Sequence, residues 1–598
     1  MKTKITIFAL ALVASVCVNA TTPATWNLVA SGSASEKGEV CWGDFNNDGF
    51  LDLFQVTNNV FALYINNGDG TFTNVASSKF PAPLPGGFQQ AMALFMDYNN
   101  DGNLDLIVSG SDGTKTKAIL YKNSGAPDYT FTIDTNNSLL GLRTGDDGDS
   151  HKDLSAVDYN NDGWVDLFIE GWCDSLNTRI VTLYKNVGGT FVRQTTPVGG
   201  TADFEGMNGG SLHTGDVNHD GFVDMISCGY SITGNYATNL YINQGDGTFV
   251  KSSASFTGIE QGEAVLFDSN NDGWLDVYIA GVGYVNGWVW PGTLYLNNQD
   301  GTFTAVESGT NLPSGTQGYN NIAQGDFNND GKTDLMVMLP SGDNTAVYYN
   351  NGDSTFLKDV LPVADRARSG SMDVADFNND NKLDYYLFGY NDNLGWLGSF
   401  VENTTAVENL APSIPANVTS TVVNGKYVIT WDKSTDDITP QNALRYNVYV
   451  QDQSGTVYAY SPANMVTGRL KTGSQTLLYK NEFVLDLPAG QYTVGVSAVD
   501  QANVASAFNS ISLSIATKLE NPLTSKVAVR SINKMIQIQN NGTQNVQFTL
   551  MSLNGQSLFK GNCNAGTGIV IPMTLNQGVY LVKLSQDKSV ITDKVSVL

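Results

Sequence analysis

The sequence predicts an all-β chain, a seven-bladed β-propeller followed by two small β-sandwich domains. Three observations predict it: an acidic nine-residue motif that recurs seven times between residues 44 and 384, short apolar segments flanking every copy, and a change of pattern after residue 405. At 598 residues the chain exceeds what one hydrophobic core usually organises, so a repeat-built domain with smaller appendages is the expected arrangement.

The first twenty residues hold Lys2 and Lys4, an apolar run from Ile5 to Cys17 and small residues up to Ala20, the pattern of a secretory signal peptide. No later stretch is apolar for long enough to span a membrane as a helix, so an exported, soluble chain is expected. The formal net charge of -26 becomes -28 once Lys2 and Lys4 are removed, which argues against nucleic acid or anionic lipid as a partner. Beyond residue 20 only Cys41, Cys173, Cys228 and Cys563 remain, too few for a disulfide framework, with Cys173 and Cys228 the one pair to test.

The repeat is D-x-N-x-D-G-x-x-D, with copies 50 to 61 residues apart. Its fixed positions 1, 3, 5 and 9 are Asp44, Asn46, Asp48 and Asp52; Asp97, Asn99, Asp101 and Asp105; Asp158, Asn160, Asp162 and Asp166; Asp216, Asn218, Asp220 and Asp224; Asp268, Asn270, Asp272 and Asp276; Asp326, Asn328, Asp330 and Asp334; Asp376, Asn378, Asp380 and Asp384. An apolar segment precedes each copy and another follows it, as in Ala91 to Met96 and Asp105 to Val108, and both read as strands. A third strand such as Leu63 to Asn66 leads through a Gly/Asp turn into a fourth that opens Thr-Phe. Four antiparallel strands per unit and seven units suit a propeller over residues 21–405. The seventh unit lacks its Thr-Phe strand, and Thr25 to Val29 resembles Thr71 to Val75, so the N-terminal segment is expected to complete the last blade.

Asp and Asn at alternate positions of a turn, with Gly at position 6 allowing the bend, can deliver the oxygen ligands that a hard cation such as calcium needs. A plainer reading makes them Asx turns that end strands; seven matching copies favour ligation. An EF-hand would close with Glu at position 12 between helices, whereas here position 9 closes the loop between strands. Asn381 replaces the sixth-position glycine of the seventh loop, which is expected to be the weakest site. On these motifs residues 22–405 resemble the FG-GAP and VCBS repeat family, whose integrin-like propellers bind calcium in such loops. The resemblance implies up to seven calcium ions and makes adhesion or binding a common role.

The loops joining second and third strands enlarge in blades three to five and carry Trp172, Tyr230, Tyr236, Tyr284, Trp288 and Trp290, a candidate patch for a glycan or a surface protein. Mutual packing of these loops is the bland alternative. Trp164 and Trp274, inside the motif loops, read as structural. No catalytic constellation stands out: His151, His213 and His219 are the only histidines, and the abundant carboxylates belong to repeated loops. The expectation is therefore a binding protein that is not an enzyme. The alternatives are a polysaccharide-active lyase or hydrolase, for which Arg179, Tyr230 and His213 could be nominated, and a purely structural surface protein.

Pro412 and Pro415 mark a linker at 406–414. Residues 415–517, with Val428 to Trp431, Tyr446 to Tyr449 and Leu487 to Tyr492, resemble a fibronectin type III domain, in which Trp431 would be the buried core tryptophan and Tyr492 the tyrosine corner. This module is expected to act as a spacer. Residues 520–598, with strands around Asn-Gly and Gln-Gly and a Lys-Val-Ser-Val-Leu end, resemble the C-terminal sorting domain of type IX secretion substrates. That likeness implies the type IX secretion machinery as a partner and release or anchoring at the outer-membrane surface.

Overall fold

The computed structural model describes residues 21–597, apart from 32–37, 82–86, 145–152, 201, 285–286, 307, 314–320, 339–344, 363–366, 424–425, 474–475, 486, 516–526, 533, 553–555, 574, 577 and 587–588. The expected signal peptide and His151 lie outside the described residues. The chain is all-β, built of many small antiparallel sheets, and the one helix among the described residues is the turn Ala76–Lys79. No described helix is long and apolar enough to cross a membrane.

Residues 21–405 form seven sheets with one plan. The first consists of Gly38–Gly43, Asp52–Thr57, Phe61–Asn66 and Phe72–Asn74, each strand antiparallel to the next. The acidic motif always lies between first and second strands, and its ninth residue opens the second strand, as with Asp52 here and Asp105 of Asp105–Ser111 in the second sheet. In the seventh sheet Trp26–Ser31 supplies the fourth strand, pairing Trp26 with Asn403 at the edge of Gly395–Asn403. The two ends of the segment are thereby held together by main-chain hydrogen bonds, and Ala24 and Trp26 pack into the core beside Met336, Tyr349 and Leu387.

The first strands pack beside one another in chain order, and the last of them, Arg368–Ala375, packs against the first, Gly38–Gly43. The apolar core lies between neighbouring sheets rather than within one. Phe54 and Phe61 of the first sheet meet Phe95 and Tyr121 of the second, and Trp42 and Tyr64 of the first meet Phe377, Tyr386 and Phe400 of the seventh. A second strand can therefore be buried on both faces; Asp52–Thr57 is buried at every position.

The described chain divides into two compact units, one ending at Ser514 and the other comprising Ile515–Leu598 with Pro488–Gly490. Within the first unit, residues 419–487 and 491–514 contribute to a three-stranded and a four-stranded sheet. Trp431 is buried there against Tyr446, at a ring separation of 5.3 Å. Tyr492 sits partly buried opposite Asp452, and Tyr446 in the same core accepts a hydrogen bond on its hydroxyl from the amide of Ser434.

This module is not a spacer. It packs on the motif loops: the amides of Asp44 and Asp326 donate to the carbonyls of Lys471 and Gln501 at 2.8 and 3.0 Å, and Thr333 Oγ1 donates to Gln501 Oε1 at 2.8 Å. Arg469 stands 3.7 Å from Asp376, and Lys471 Nζ bonds Asn47 Oδ1 and the Gly102 carbonyl. Basic side chains of one element thus meet the acidic loops of another. The second unit holds sheets built on Met535–Asn540 and on Val546–Ser552, around a core that includes Ile538, Phe548 and Leu584. Cys173 and Cys228 do not pair; they and Cys41 and Cys563 are buried free thiols.

Candidate functional site

Each motif loop is tied by its own main chain. The first aspartate accepts the amide of position 5 on Oδ1 at 3.0–3.2 Å and that of position 6 on Oδ2 at 2.6–3.1 Å, in all seven copies. The ninth aspartate is buried in every copy and accepts, at 2.7–2.9 Å, the amide of the asparagine that ends the third strand. Six glycines at position 6 hold φ between +81° and +89°, and Asn381 takes +66° in the seventh loop, the substitution the sequence points to.

Two sets of residues outside the fixed motif positions complete the arrangement. At position 4 stand Asn47, Asn100, Asn161, His219, Asn271, Asn329 and Asn379, all at φ of +54° to +65°, a region where Asn and His are enriched. Six of them donate to the sixth-position carbonyl of the next loop, as Asn100 does to Gly163 and Asn379 to Gly49. Asn329 instead reaches the carbonyl of Val407, and Asn381 that of Asn409. The second set is the asparagine closing each third strand: Asn66, Asn123, Asn186, Asn243, Asn297, Asn350 and Asn403. Its Nδ2 donates at 2.7–2.9 Å to the second-position carbonyl of the preceding sheet's loop, so every pair of neighbouring loops is bridged twice or capped.

Carboxylates outnumber basic groups in the loops, and burial weighs on their charge. Burial first, and in most copies the fifth-position aspartate beside it, pushes the first aspartate up: to about 6 at Asp44, Asp97 and Asp376, about 7 at Asp158, Asp216 and Asp268, and about 8 at Asp326. Burial likewise lifts the ninth aspartate, to about 6 at Asp276 and well above the usual carboxylate range in the other six. Asp52 Oδ2 and Asn328 Oδ1 are buried with no hydrogen-bond partner. Such oxygens suit a hard cation. Among the described residues no three His, Cys, Asp or Glu side chains converge as a ready-made metal cluster, so Asn oxygens and main-chain carbonyls would have to share the ligation. In four loops a lysine already lies on the fifth aspartate: Lys122 on Asp101, Lys185 on Asp162, Lys332 on Asp330 and Lys382 on Asp380, at 2.8–3.8 Å.

On the opposite edge, the hairpins joining second and third strands bring most of the expected aromatics together. Trp172 pairs across its hairpin with Arg179, whose guanidinium lies 5.5 Å from the Trp172 ring and 4.5 Å from that of Tyr230 in the next sheet. Tyr230 meets Tyr236 at 5.4 Å, Tyr236 meets Trp288 at 6.0 Å, and Trp288 meets Tyr284 at 5.7 Å. Tyr284 and Trp288 are 58% and 57% exposed, and Trp290 is 38% exposed. The seventh sheet carries a smaller group that sequence reading passed over, with Arg368 4.9 Å from the Tyr390 ring and Tyr390 5.5 Å from Trp396. Its signal is the Gly-aromatic pair five and six residues past the ninth aspartate, Gly389-Tyr390, matching Gly171-Trp172 and Gly229-Tyr230. His213, nominated with Arg179 and Tyr230, instead lines an interior cavity. Trp274 stacks on His219 at 3.8 Å, a packing role.

The curated relative cartilage acidic protein 1 of Xenopus tropicalis is 23% identical over 324 residues, which cover 49% of this chain and 47% of that protein, so the chain spans about half the length of the relative it matches. Among solved structures, an Agrocybe aegerita lectin recognising non-reducing terminal N-acetylglucosamine is 20% identical at a TM-score of 0.38, covering 55% of this chain and 81% of that one. A fungal alcohol oxidase of the AA5 family, in complex with copper, is 13% identical at a TM-score of 0.41, covering 82% and 100%. The FG-GAP-like repeat matches residues 44–108, 97–169, 158–227, 268–337 and 326–387, together just over half of the sequence, and the chain belongs to that repeat family.

Proposed function

We propose that residues 21–405 are a seven-bladed β-propeller that holds calcium in its motif loops and binds a glycan through the opposite, aromatic face. The carrying observation is the run of side chains from Trp172 and Arg179 through Tyr230 and Tyr236 to Trp288 and Tyr284, which crosses three sheets and ends in two largely exposed rings. Aromatic faces with polar tips stack on sugar rings, and an arginine among them supplies donors for hydroxyl or acidic groups. At the loop edge, by contrast, Lys471 and Gln501 pack onto the motif loops.

The reading places the protein outside the cell, exported through the N-terminal signal and a type IX C-terminal sorting domain at 520–598, with the fibronectin-like module at 415–517 bracing the loops. It assigns no catalysis to the chain. A glycan array probed with the full chain in calcium-containing buffer tests it: binding that disappears in Trp288→Ala and Tyr230→Ala supports the aromatic face, and binding that survives both moves the ligand elsewhere. Retention of several calcium ions after gel filtration is the companion measurement for the loops.

A further inference from the structure

Most of the described arginines in residues 21–405 face a carboxylate. Arg193 Nη2 lies 2.8 Å from Asp203 Oδ2, Arg368 Nη2 lies 3.0 Å from Asp392 Oδ1, and Arg143 Nε is 3.9 Å from Asp174 Oδ1. Arg179 departs from this pattern. Among the described residues its guanidinium makes no ion pair, and its hydrogen bond runs from Nε to the neutral Oδ1 of Asn208 at 2.6 Å. Aromatic rings flank it instead, that of Trp172 at 5.5 Å and that of Tyr230 at 4.5 Å.

These contacts hold the group in place without neutralising it. Asn208 is buried and lies opposite Tyr230 in the pairing of Met207–Gly215 with Asp224–Ser231, while Trp172 lies opposite Arg179 in its own hairpin. A guanidinium stays charged and carries five N–H donors, so with Nε committed the four on Nη1 and Nη2 are left for another acceptor. Acids in the adjoining segments are engaged elsewhere: Asp174 accepts from Trp172 Nε1 and the Thr116 amide, and Glu205 from Lys251, Asn239 and Ser231. In a chain of net charge -26, a half-buried cation without a counter-charge is out of place, and an anion would relieve it.

We infer that the ligand of the aromatic face is an acidic glycan, a uronic-acid sugar whose carboxylate is read by Arg179. This rests on the reading of that face as a glycan site and adds what the glycan must carry. The planar fork of Nη1 and Nη2 matches the two oxygens of a carboxylate, and the rings on either side supply the apolar surface for the sugar. A neutral sugar would leave the guanidinium as it stands, held by Asn208 alone. Arg179 is thus the residue that sets the preference for charge, and the aromatic side chains supply the stacking.

An array of uronic-acid oligosaccharides, each printed beside its carboxyl-reduced neutral counterpart and probed with the full chain in calcium-containing buffer, tests this. The wild type should bind the acidic member of a pair about tenfold or more tightly, as a charge-assisted pair allows. Arg179→Gln should bind both members alike, and Arg179→Lys, with charge but no fork, should recover only part of the preference. The wild-type comparison does not depend on either variant folding, and melting curves show whether each variant does. Equal wild-type binding to both members overturns the acidic ligand and leaves the glycan face standing; binding to no printed sugar overturns both. A preference for acid that persists in a folded Arg179→Gln overturns the assignment to Arg179.

Discussion

The two edges of the seven-sheet array are built on opposite terms. On the loop edge the same parts recur in every sheet: a first aspartate cradled by amides, a buried ninth aspartate, and asparagines that hand a hydrogen bond to the next loop. On the hairpin edge the residues change from sheet to sheet, with Trp172 and Arg179 in the third, two tyrosines in the fourth, Tyr284 and Trp288 in the fifth and Ser111 and Thr116 in the second. Repetition serves rigidity, because each loop only has to match its neighbour. Under the proposed binding role, variation suits recognition, because a ligand contacts few sheets and needs different groups from each.

The largest break in this comparison is removal of metal. An ion bound a thousandfold above its dissociation constant stabilises by about 4 kcal/mol, so stripping several loops should lower the melting temperature steeply while leaving the hairpin edge chemically unchanged. Differential scanning calorimetry with and without chelator measures it, and an unchanged curve would reduce the loops to Asx turns. The pH dependence sharpens the same point. First-position aspartates at about 6 to about 8 in the folded, metal-free chain compare with about 4 when unfolded. The folded state then binds more protons, so metal-free stability falls as pH rises from about 4 to about 8. With calcium saturating, binding requires the deprotonated form and stability rises over that window.

Next in size is the loss of one bridging asparagine. Asn243→Ala removes the donor to the Tyr159 and Val223 carbonyls and leaves both buried, a loss of about 2–3 kcal/mol. The expected signature is increased amide exchange in both the third and fourth loops, since the bridge joins them; exchange confined to the fourth would deny the coupling. A smaller effect separates the loops from one another. Lysines occupy the fifth aspartate in loops two, three, six and seven, so calcium should fill loops one, four and five first, by about tenfold in affinity or ~1.4 kcal/mol. Isothermal titration resolves two classes if this holds and one class if it does not.

The loop aspartates were legible as a set because seven copies with the same internal spacing mark them off from ordinary turns. The fourth-position asparagines recur in six of the seven loops, with His219 in the other, yet a turn-forming residue in a turn looks complete without a partner in another loop. Asn243 and its equivalents lie at a strand end beside Gly and Asp, where hairpin propensity masks their reach into the preceding sheet. Docking of residues 415–515 depends on single side chains, Lys471, Gln501 and Arg469, with no period to betray them. The aromatic face was legible in kind, as enlarged hairpins rich in Trp and Tyr, whereas Arg179 as the joint between Trp172 and Tyr230 needed the register of both sheets.

The smallest effect on stability should be the largest on recognition. Trp288 belongs to a two-residue strand at the tip of its hairpin and is 57% exposed, so Trp288→Ala should change stability by less than about 0.5 kcal/mol. Its ring nonetheless joins Tyr236 to Tyr284, and removing it parts the fourth sheet's aromatics from the fifth's. Stacking of one aromatic on a ligand ring contributes about 1 kcal/mol beyond area burial, and with the lost contact area the affinity for a bound glycan should fall at least tenfold. Paired melting and binding measurements on this one variant decide the matter. Unchanged melting with lost binding fits a surface kept rigid from its far edge, whereas a variant that melts early would make the aromatic run part of the core and not a site.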